Sequence, residues 1–156
     1  MFFWNATVTV MEVNTTRFGS LQVDAEDLIH FPAGILGLED CRDWVLLKDS
    51  QNDAVAWLQS VQRSKIALPL VSPRRFLPDY HIRVAQAELG LLEVDDVRAV
   101  QVVVIAGRSD HSMTLNLKAP LLINMARRLG RQVVTNGDLP VRYELTGSSM
   151  AWKKSA

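Results

Sequence analysis

The chain has 156 residues, a mass of 17.5 kDa, 48% hydrophobic residues, and 17 basic against 17 acidic side chains. A chain of this length is expected to form one domain with its own core, and its balanced charge excludes a global attraction to nucleic acid or anionic membranes. Its single cysteine, Cys41, excludes an intramolecular disulfide and a multi-cysteine zinc site, and fits a reducing, cytoplasmic environment.

The first ten residues, 1–10, begin with an apolar run but lack a basic n-region and are too short to span a bilayer. Alternation typical of a strand begins only after Met11, which could be an alternative start. We therefore expect an N-terminal extension at 1–10, a β domain at 11–145 and a flexible tail at 146–156, where small, polar and basic residues dominate.

Alternating apolar and polar residues predict strands through the first half of the chain. Residues 12–17 and 21–23 are expected to pair across a turn at Gly19, and 28–31 continue the pattern. The runs 44–47 and 55–61 predict a hairpin around the polar break 49–53. Residues 66–71 form a further short strand, in which Pro69 must lie at an edge or bulge because it has no N–H to donate.

A helix is predicted from Pro78 or Asp79 to Glu88, because Tyr80, Val84 and Ala87 fall at helical spacing and Asp79 can cap.

The β-branched run 100–106 predicts a central strand covered on both faces, with 113–117 as its hairpin partner. Strands at 121–125 and 131–135 are expected to flank a turn at Gly130, although 122–129 is also compatible with a helix. Many short strands without a recurrent βαβ unit predict an all-β or predominantly β fold. We expect a single small domain, an antiparallel barrel-like fold or a sandwich, with at most one or two short helices.

The segment 30–39 places four large apolar side chains where a proline and two glycines prevent a regular element. Either the domain covers these side chains or a partner protein does. Phe31 and Leu38 are expected to pack, whereas Ile35 and Leu36 lie nearer the tip of the turn and are the better candidates for contact. The acidic residues that follow complete the predicted partner-binding site: Glu39, Asp40 and Asp43.

Charge is unevenly distributed along the chain. Residues 24–53 carry eight acidic side chains against Arg42 and Lys48, and the next stretch is basic. An acidic surface would repel RNA and favour a basic protein partner, the alternative being an ordinary solvated face.

Catalytic and metal-binding motifs are lacking, and we assign no catalytic, cofactor or metal-ligating residue. One alternative is a small metal-dependent hydrolase that uses His81 or His111 with a neighbouring aspartate. A second is direct RNA binding through Arg127, Arg128 and Arg131, which is disfavoured because no aromatic platform accompanies these arginines.

Several short motifs between residues 11 and 145, taken in order, resemble those of the FliW flagellar assembly factors. The chain departs from that pattern at both ends and in having Leu38 where an aromatic residue is usual. The motifs are Arg17-Phe18-Gly19; Phe31-Pro32-x-Gly34-x-x-Gly37-Leu38-Glu39; Trp57-Leu58-Gln59-Ser60; Pro73, Phe76 and Pro78-Asp79-Tyr80; Asn116-Leu117-x-Ala119-Pro120; Ile123-Asn124; and Gln132-Val133-Val134.

The resemblance implies a small, cytoplasmic, barrel-like protein without catalytic activity. We also expect the protein to need no cofactor and to be monomeric when free. The resemblance also implies two protein partners, the translational regulator CsrA and flagellin. From the balanced charge we expect no direct contact with nucleic acid or membrane. Free flagellin would occupy the protein. After flagellin export the protein would bind CsrA non-competitively and relieve repression of flagellin translation.

Overall fold

The computed structural model describes residues 10–110 and 112–145. The predicted tail, His111 and nearly all of the predicted N-terminal extension lie outside the described residues. One α-helix, α1 (Gln86–Leu91), and three single-turn 3-10 helices (Ala25–Asp27, Pro73–Arg75 and Val97–Ala99) accompany eleven strands within those ranges. The strands are β1 (Val10–Thr15), β2 (Gly19–Asp24), β3 (Leu28–His30), β4 (Asp43–Lys48), β5 (Val55–Ser60), β6 (Ala67–Val71), β7 (Gln101–Ser109), β8 (Ser112–Leu115), β9 (Leu121–Asn124), β10 (Leu129–Gln132) and β11 (Tyr143–Leu145).

Seven of these strands close into a barrel, in the order β7, β6, β5, β4, β3, β10, β9 and back to β7. All neighbouring pairs are antiparallel except β3 and β10, which run parallel. β8 pairs with the second half of β7, and β11 pairs with β8. β1 and β2 form a separate two-stranded ribbon. The prediction of a predominantly β, barrel-like fold is therefore confirmed, with one parallel pair inside it.

The predicted hairpins β1–β2, β4–β5 and β7–β8 are all present. β7 is central, because it pairs with β6, β8 and β9 and its two faces belong to different hydrophobic clusters. The side chain of Val104 is on the outer face of the barrel, where the segments that pack against that face bury it fully. The side chains of Val103 and Ile105 pack inside the barrel. Pro69 lies opposite Trp57 of β5, but the short ladder between β6 and β7 begins only at Leu70. Pro69 therefore has no partner in β7, and its lack of an N–H breaks no hydrogen bond on that side.

The helix predicted from Pro78 or Asp79 to Glu88 was wrong over most of its length, because α1 begins only at Gln86. Tyr80, Ile82 and Val84 are buried or partly buried, and the residues between them are exposed. This alternation of period two is that of an extended segment, which lies across the outside of the barrel.

The turn predicted at Gly130 was also wrong. Gly130 lies within β10, and the turn precedes it at residues 125–128, where Arg128 has a φ of 55°. A Cβ atom at position 130 would lie 2.3 Å from the ring of Phe31. Glycine is present because an aromatic side chain occupies the space beside the strand.

The ribbon of β1 and β2 is anchored to the barrel through Trp57. The ring of Phe18 meets the indole edge-on at a centroid distance of 6.0 Å, and the guanidinium carbon of Arg17 lies 4.1 Å from the indole centroid. On the other side, Trp57 Nε1 donates to Asp49 Oδ1 at 2.9 Å.

These contacts make Asp49 a source of acid sensitivity. The indole N–H of Trp57, the backbone N–H groups of Gln51 and Asn52, and the charge of Arg17 together lower the pKa of Asp49 below 3.8, although burial opposes them. The stabilisation that ionised Asp49 gives the fold is therefore fully present above pH 3.8 and is lost as the pH falls through the folded-state pKa.

In Asp49→Asn, the melting temperature should fall less between about pH 5 and about pH 3 than in the parent. Asp53→Asn is the matched control, because its parent side chain is 94% exposed; equal pH dependence in D49N and the parent would contradict this assignment.

No helix in residues 10–110 and 112–145 is both long enough and apolar enough to cross a membrane.

Candidate functional site

The loop between β3 and β4, residues 31–42, covers one end of the barrel and is called here the barrel-end loop. It consists of three successive turns, each closed by a backbone hydrogen bond. Gly34 N donates to Phe31 O at 2.9 Å, Leu38 N to Ile35 O at 2.7 Å, and Cys41 N to Leu38 O at 2.9 Å. These bonds satisfy backbone groups that a β-strand would otherwise pair, so the loop is ordered without being a regular element.

Two glycines make this path possible. Gly34 and Gly37 have φ values of 73° and 83°, in the left-handed region that other residues rarely adopt. Gly34 also approaches Glu39 so closely that a Cβ atom would lie 2.7 Å from Glu39 Cα. The spacing Gly34-x-x-Gly37 therefore encodes the shape of the loop.

The four apolar side chains of the loop divide between core and surface. Phe31 and Ile35 are 0% and 2% exposed and pack with the residues inside the barrel, and Leu38 packs partly against them. Leu36 is 66% exposed. The packing expected for Phe31 and Leu38 is confirmed. Ile35, expected with Leu36 to be a better candidate for contact, is instead buried, because its side chain packs into the hydrophobic cluster inside the barrel.

Leu36 stands on a firmly held backbone. Its N–H donates to Gln132 Oε1 at 2.9 Å, and Gln132 Nε2 in turn donates to Ala119 O at 3.1 Å. On the other side of the loop the guanidinium of Arg42 donates to the carbonyl oxygens of Pro32 and Glu39, the latter at 3.0 Å. An exposed side chain on such a backbone can be bound with little additional loss of conformational entropy.

Val134 extends the exposed apolar surface at this end of the barrel. The chain remains extended beyond β10, since Val133 N donates to Pro120 O at 3.1 Å and Thr135 N to Lys118 O at 2.8 Å. Val134 therefore lies on the same side of the chain as Gln132, two residues beyond it, and is 60% exposed. We call Leu36 and Val134 the end patch. The motif Gln132-Val133-Val134 was visible in the sequence, but nothing there placed it beside the loop.

The three acidic residues of the predicted site surround the loop, but their carboxylates already have partners. Asp40 pairs with Arg63 at 3.4 Å. Asp43 contacts His30 Nδ1 at 2.8 Å and accepts from Gln62 Nε2 at 2.9 Å. Glu39 Oε1 accepts from the backbone N–H of Gly37 at 3.1 Å. The acidic flank is therefore partly neutralised within the fold, and the apolar end patch is the stronger candidate for recognition.

The residues of the hydrolase alternative do not converge. His81 is exposed, and its Nδ1 contacts the backbone carbonyl of Asp79 at 2.9 Å rather than a carboxylate. Within residues 10–110 and 112–145, no group of three His, Cys, Asp or Glu side chains is placed to hold a metal ion. His111 lies outside the described residues.

The three arginines of the RNA-binding alternative all face carboxylates. Arg127 and Arg128 lie 3.9 Å and 3.8 Å from Glu93 and Asp27. Arg131 is hydrogen-bonded to Glu88 of α1. Each guanidinium therefore has a carboxylate beside it, and the negative charge of that carboxylate reduces the attraction of these arginines for phosphate.

Comparison with known proteins gives consistent results. The model of a family described as FliW protein matches residues 12–145. The flagellar assembly factor FliW of Caldanaerobacter subterraneus subsp. tengcongensis is 35% identical over 131 residues, which cover 82% of this chain and 87% of the relative. The flagellar assembly factor FliW of Bdellovibrio bacteriovorus is 35% identical over 136 residues, covering 85% and 77%. A crystal structure described as the flagellar assembly factor FliW matches with a TM-score of 0.81 and 28% identity, covering 88% of this chain and 98% of the other.

Proposed function

The chain belongs to the FliW family of flagellar assembly factors, and on that premise we propose that it is a partner-switching protein that binds flagellin and the translational regulator CsrA. In this scheme the protein acts in the cytoplasm, where newly made flagellin occupies it. When flagellin is exported, the released protein binds CsrA away from the RNA-binding surface and relieves repression of flagellin translation.

The exposed Leu36 is the observation that supports a binding function most directly. A leucine side chain that is 66% exposed gains free energy when a partner removes it from water. Its backbone is held by Gln132, so a partner meets a preformed surface. Nothing comparable supports a catalytic function in the described part of the chain, where no cluster of three potential metal ligands occurs.

The proposed contact residues differ in their roles. Leu36 and the partly exposed Leu38 would touch the partner, with Glu39 and Asp40 at the rim. The other three predicted residues would act indirectly, because Phe31 and Ile35 form the base of the loop and Asp43 is held by its neighbours.

Titration calorimetry with CsrA and flagellin from the same organism tests this proposal. We expect each partner to bind at micromolar concentration or tighter, and we expect flagellin to displace CsrA. Failure to bind either protein would refute the proposed function. A stable ternary complex would preserve binding but rule out a simple switch.

A further inference from the structure

A second surface feature lies at the opposite end of the barrel from the barrel-end loop. Ser60 of β5 pairs with Trp44 beside the loop, whereas Val55, at the other end of β5, pairs with Val71 of β6. A cleft with a volume of about 510 Å³ lies at this other end, and the residues that follow Val71 form one of its walls. The cleft lies between residues 72–82, the 3-10 helix Val97–Ala99 and the start of β7.

The lining of this cleft combines an apolar surface with positive charge. Tyr80, Ile82, Val100 and Val102 contribute the apolar part. Tyr80 is anchored by its hydroxyl, which donates to Leu117 O at 2.8 Å, and burial raises the pKa of this hydroxyl to about 12. The charged or titratable lining residues are Arg74, His81 and Arg98, and none of the lining residues carries a carboxylate.

Arg74 and Arg98 differ in what they can offer a ligand. Arg98 is bound by Asp96 at 2.8 Å, so its charge is already compensated. Arg74 donates from Nε to Tyr80 O at 3.0 Å, and within the described residues no carboxylate lies at ion-pair distance from it. The bond to Tyr80 orients the guanidinium and leaves its two terminal nitrogens for another acceptor. A guanidinium binds carboxylates through paired hydrogen bonds.

The shape of the cleft favours a peptide over a small molecule. Its volume lies in the range of ligand sites, but sites for small molecules normally enclose most of the ligand surface. Here Ser72, Arg74, His81, Arg98 and Gln101 are all exposed, so one side of the cleft faces solvent. A peptide needs to insert only one side chain, whereas the rest of it can stay outside.

We propose that this cleft binds a peptide segment of a protein partner in which an apolar side chain lies next to a carboxylate. The apolar side chain contacts Ile82, Val100 and Val102, and the carboxylate pairs with Arg74. Because the cleft and the end patch lie at opposite ends of the barrel, both surfaces can be occupied at once. The inference goes beyond the proposed function, and its test needs neither CsrA nor flagellin.

The probe is the capped peptide acetyl-Ser-Leu-Glu-Leu-Glu-Ser-amide, titrated into the full-length, isotope-labelled protein while backbone amide resonances are recorded. We expect the largest shifts at Ile82 and Gln101. A peptide with glutamine in place of glutamate, and another with serine in place of leucine, should each bind at least about fivefold more weakly. These comparisons use the unmodified protein, so they do not depend on the folding of a variant.

Arg74→Gln should weaken binding of the acidic peptide at least about fivefold. Arg127→Gln is the matched control, since Arg127 pairs with Glu93 and does not line the cleft. Any of three results would overturn the proposal: equal affinity for the acidic and neutral peptides, shifts confined to residues 31–42, or unchanged affinity in R74Q. Sodium hexanoate binding as tightly as the peptide would also overturn it, because the cleft would then be a small-molecule site.

Discussion

Replacing Phe31 by alanine should lower the free energy of unfolding by about 3–5 kcal/mol, the range for truncation of a buried aromatic side chain. Phe31 is 0% exposed, meets the ring of Trp44 edge-on at a centroid distance of 6.4 Å, and fills the space above Gly130. Phe31→Ala would leave a cavity inside the barrel, directly beneath the barrel-end loop. Chemical denaturation followed by circular dichroism measures this change.

Gly130→Ala tests the same contact from the opposite side. The added Cβ atom would clash with the Phe31 ring, and we expect a destabilisation of about 1–3 kcal/mol. Combined with Phe31→Ala the same change should be far less harmful, because the ring is no longer there. Gly137→Ala is the matched control, since a Cβ atom there would meet nothing within 4 Å. Strictly additive effects of the changes at positions 31 and 130 would contradict the packing described for this end of the barrel.

Leu36→Asp should weaken binding of at least one partner by about tenfold or more and leave the melting temperature nearly unchanged. Binding should weaken because the substitution replaces an apolar contact with a charge that must be desolvated. Stability should change little because the Leu36 side chain is 66% exposed and contributes few contacts to the folded monomer. Ile35→Asp should instead unfold the protein, because Ile35 is 2% exposed. Calorimetric titration with CsrA and with flagellin, alongside thermal melts, separates the two effects.

Leu91→Asp provides the control for Leu36→Asp. Leu91 is 59% exposed, a fraction close to that of Leu36, but it lies on α1 rather than at the end of the barrel. We expect L91D to bind both partners as the parent does. Should L36D also retain the parent's affinity for both, the end patch would not be a contact surface and recognition would have to be sought elsewhere.

The strand content could be predicted from the sequence because period-two alternation and β-branched runs report directly on the faces of a strand. The same reasoning failed at residues 78–88, where two patterns overlap. Tyr80, Val84 and Ala87 have the spacing of a helix. Tyr80, Ile82 and Val84 have the period of two that is typical of an extended segment. The choice was made by tertiary packing, because Tyr80 and Val84 belong to two separate clusters on the outside of the barrel.

For the candidate site, the amino-acid sequence alone determined that residues 30–39 form an ordered apolar turn, since proline and glycine restrict the backbone there. It also determined which carboxylates follow that turn. Only the tertiary structure decided that Ile35 is buried while Leu36 is exposed, that Gln132 holds Leu36, and that Asp40 and Asp43 are already paired. The physical reason is that burial and ion pairing depend on residues distant in the chain. Leu36 and Gln132 are brought together by closure of the barrel, which no local pattern specifies.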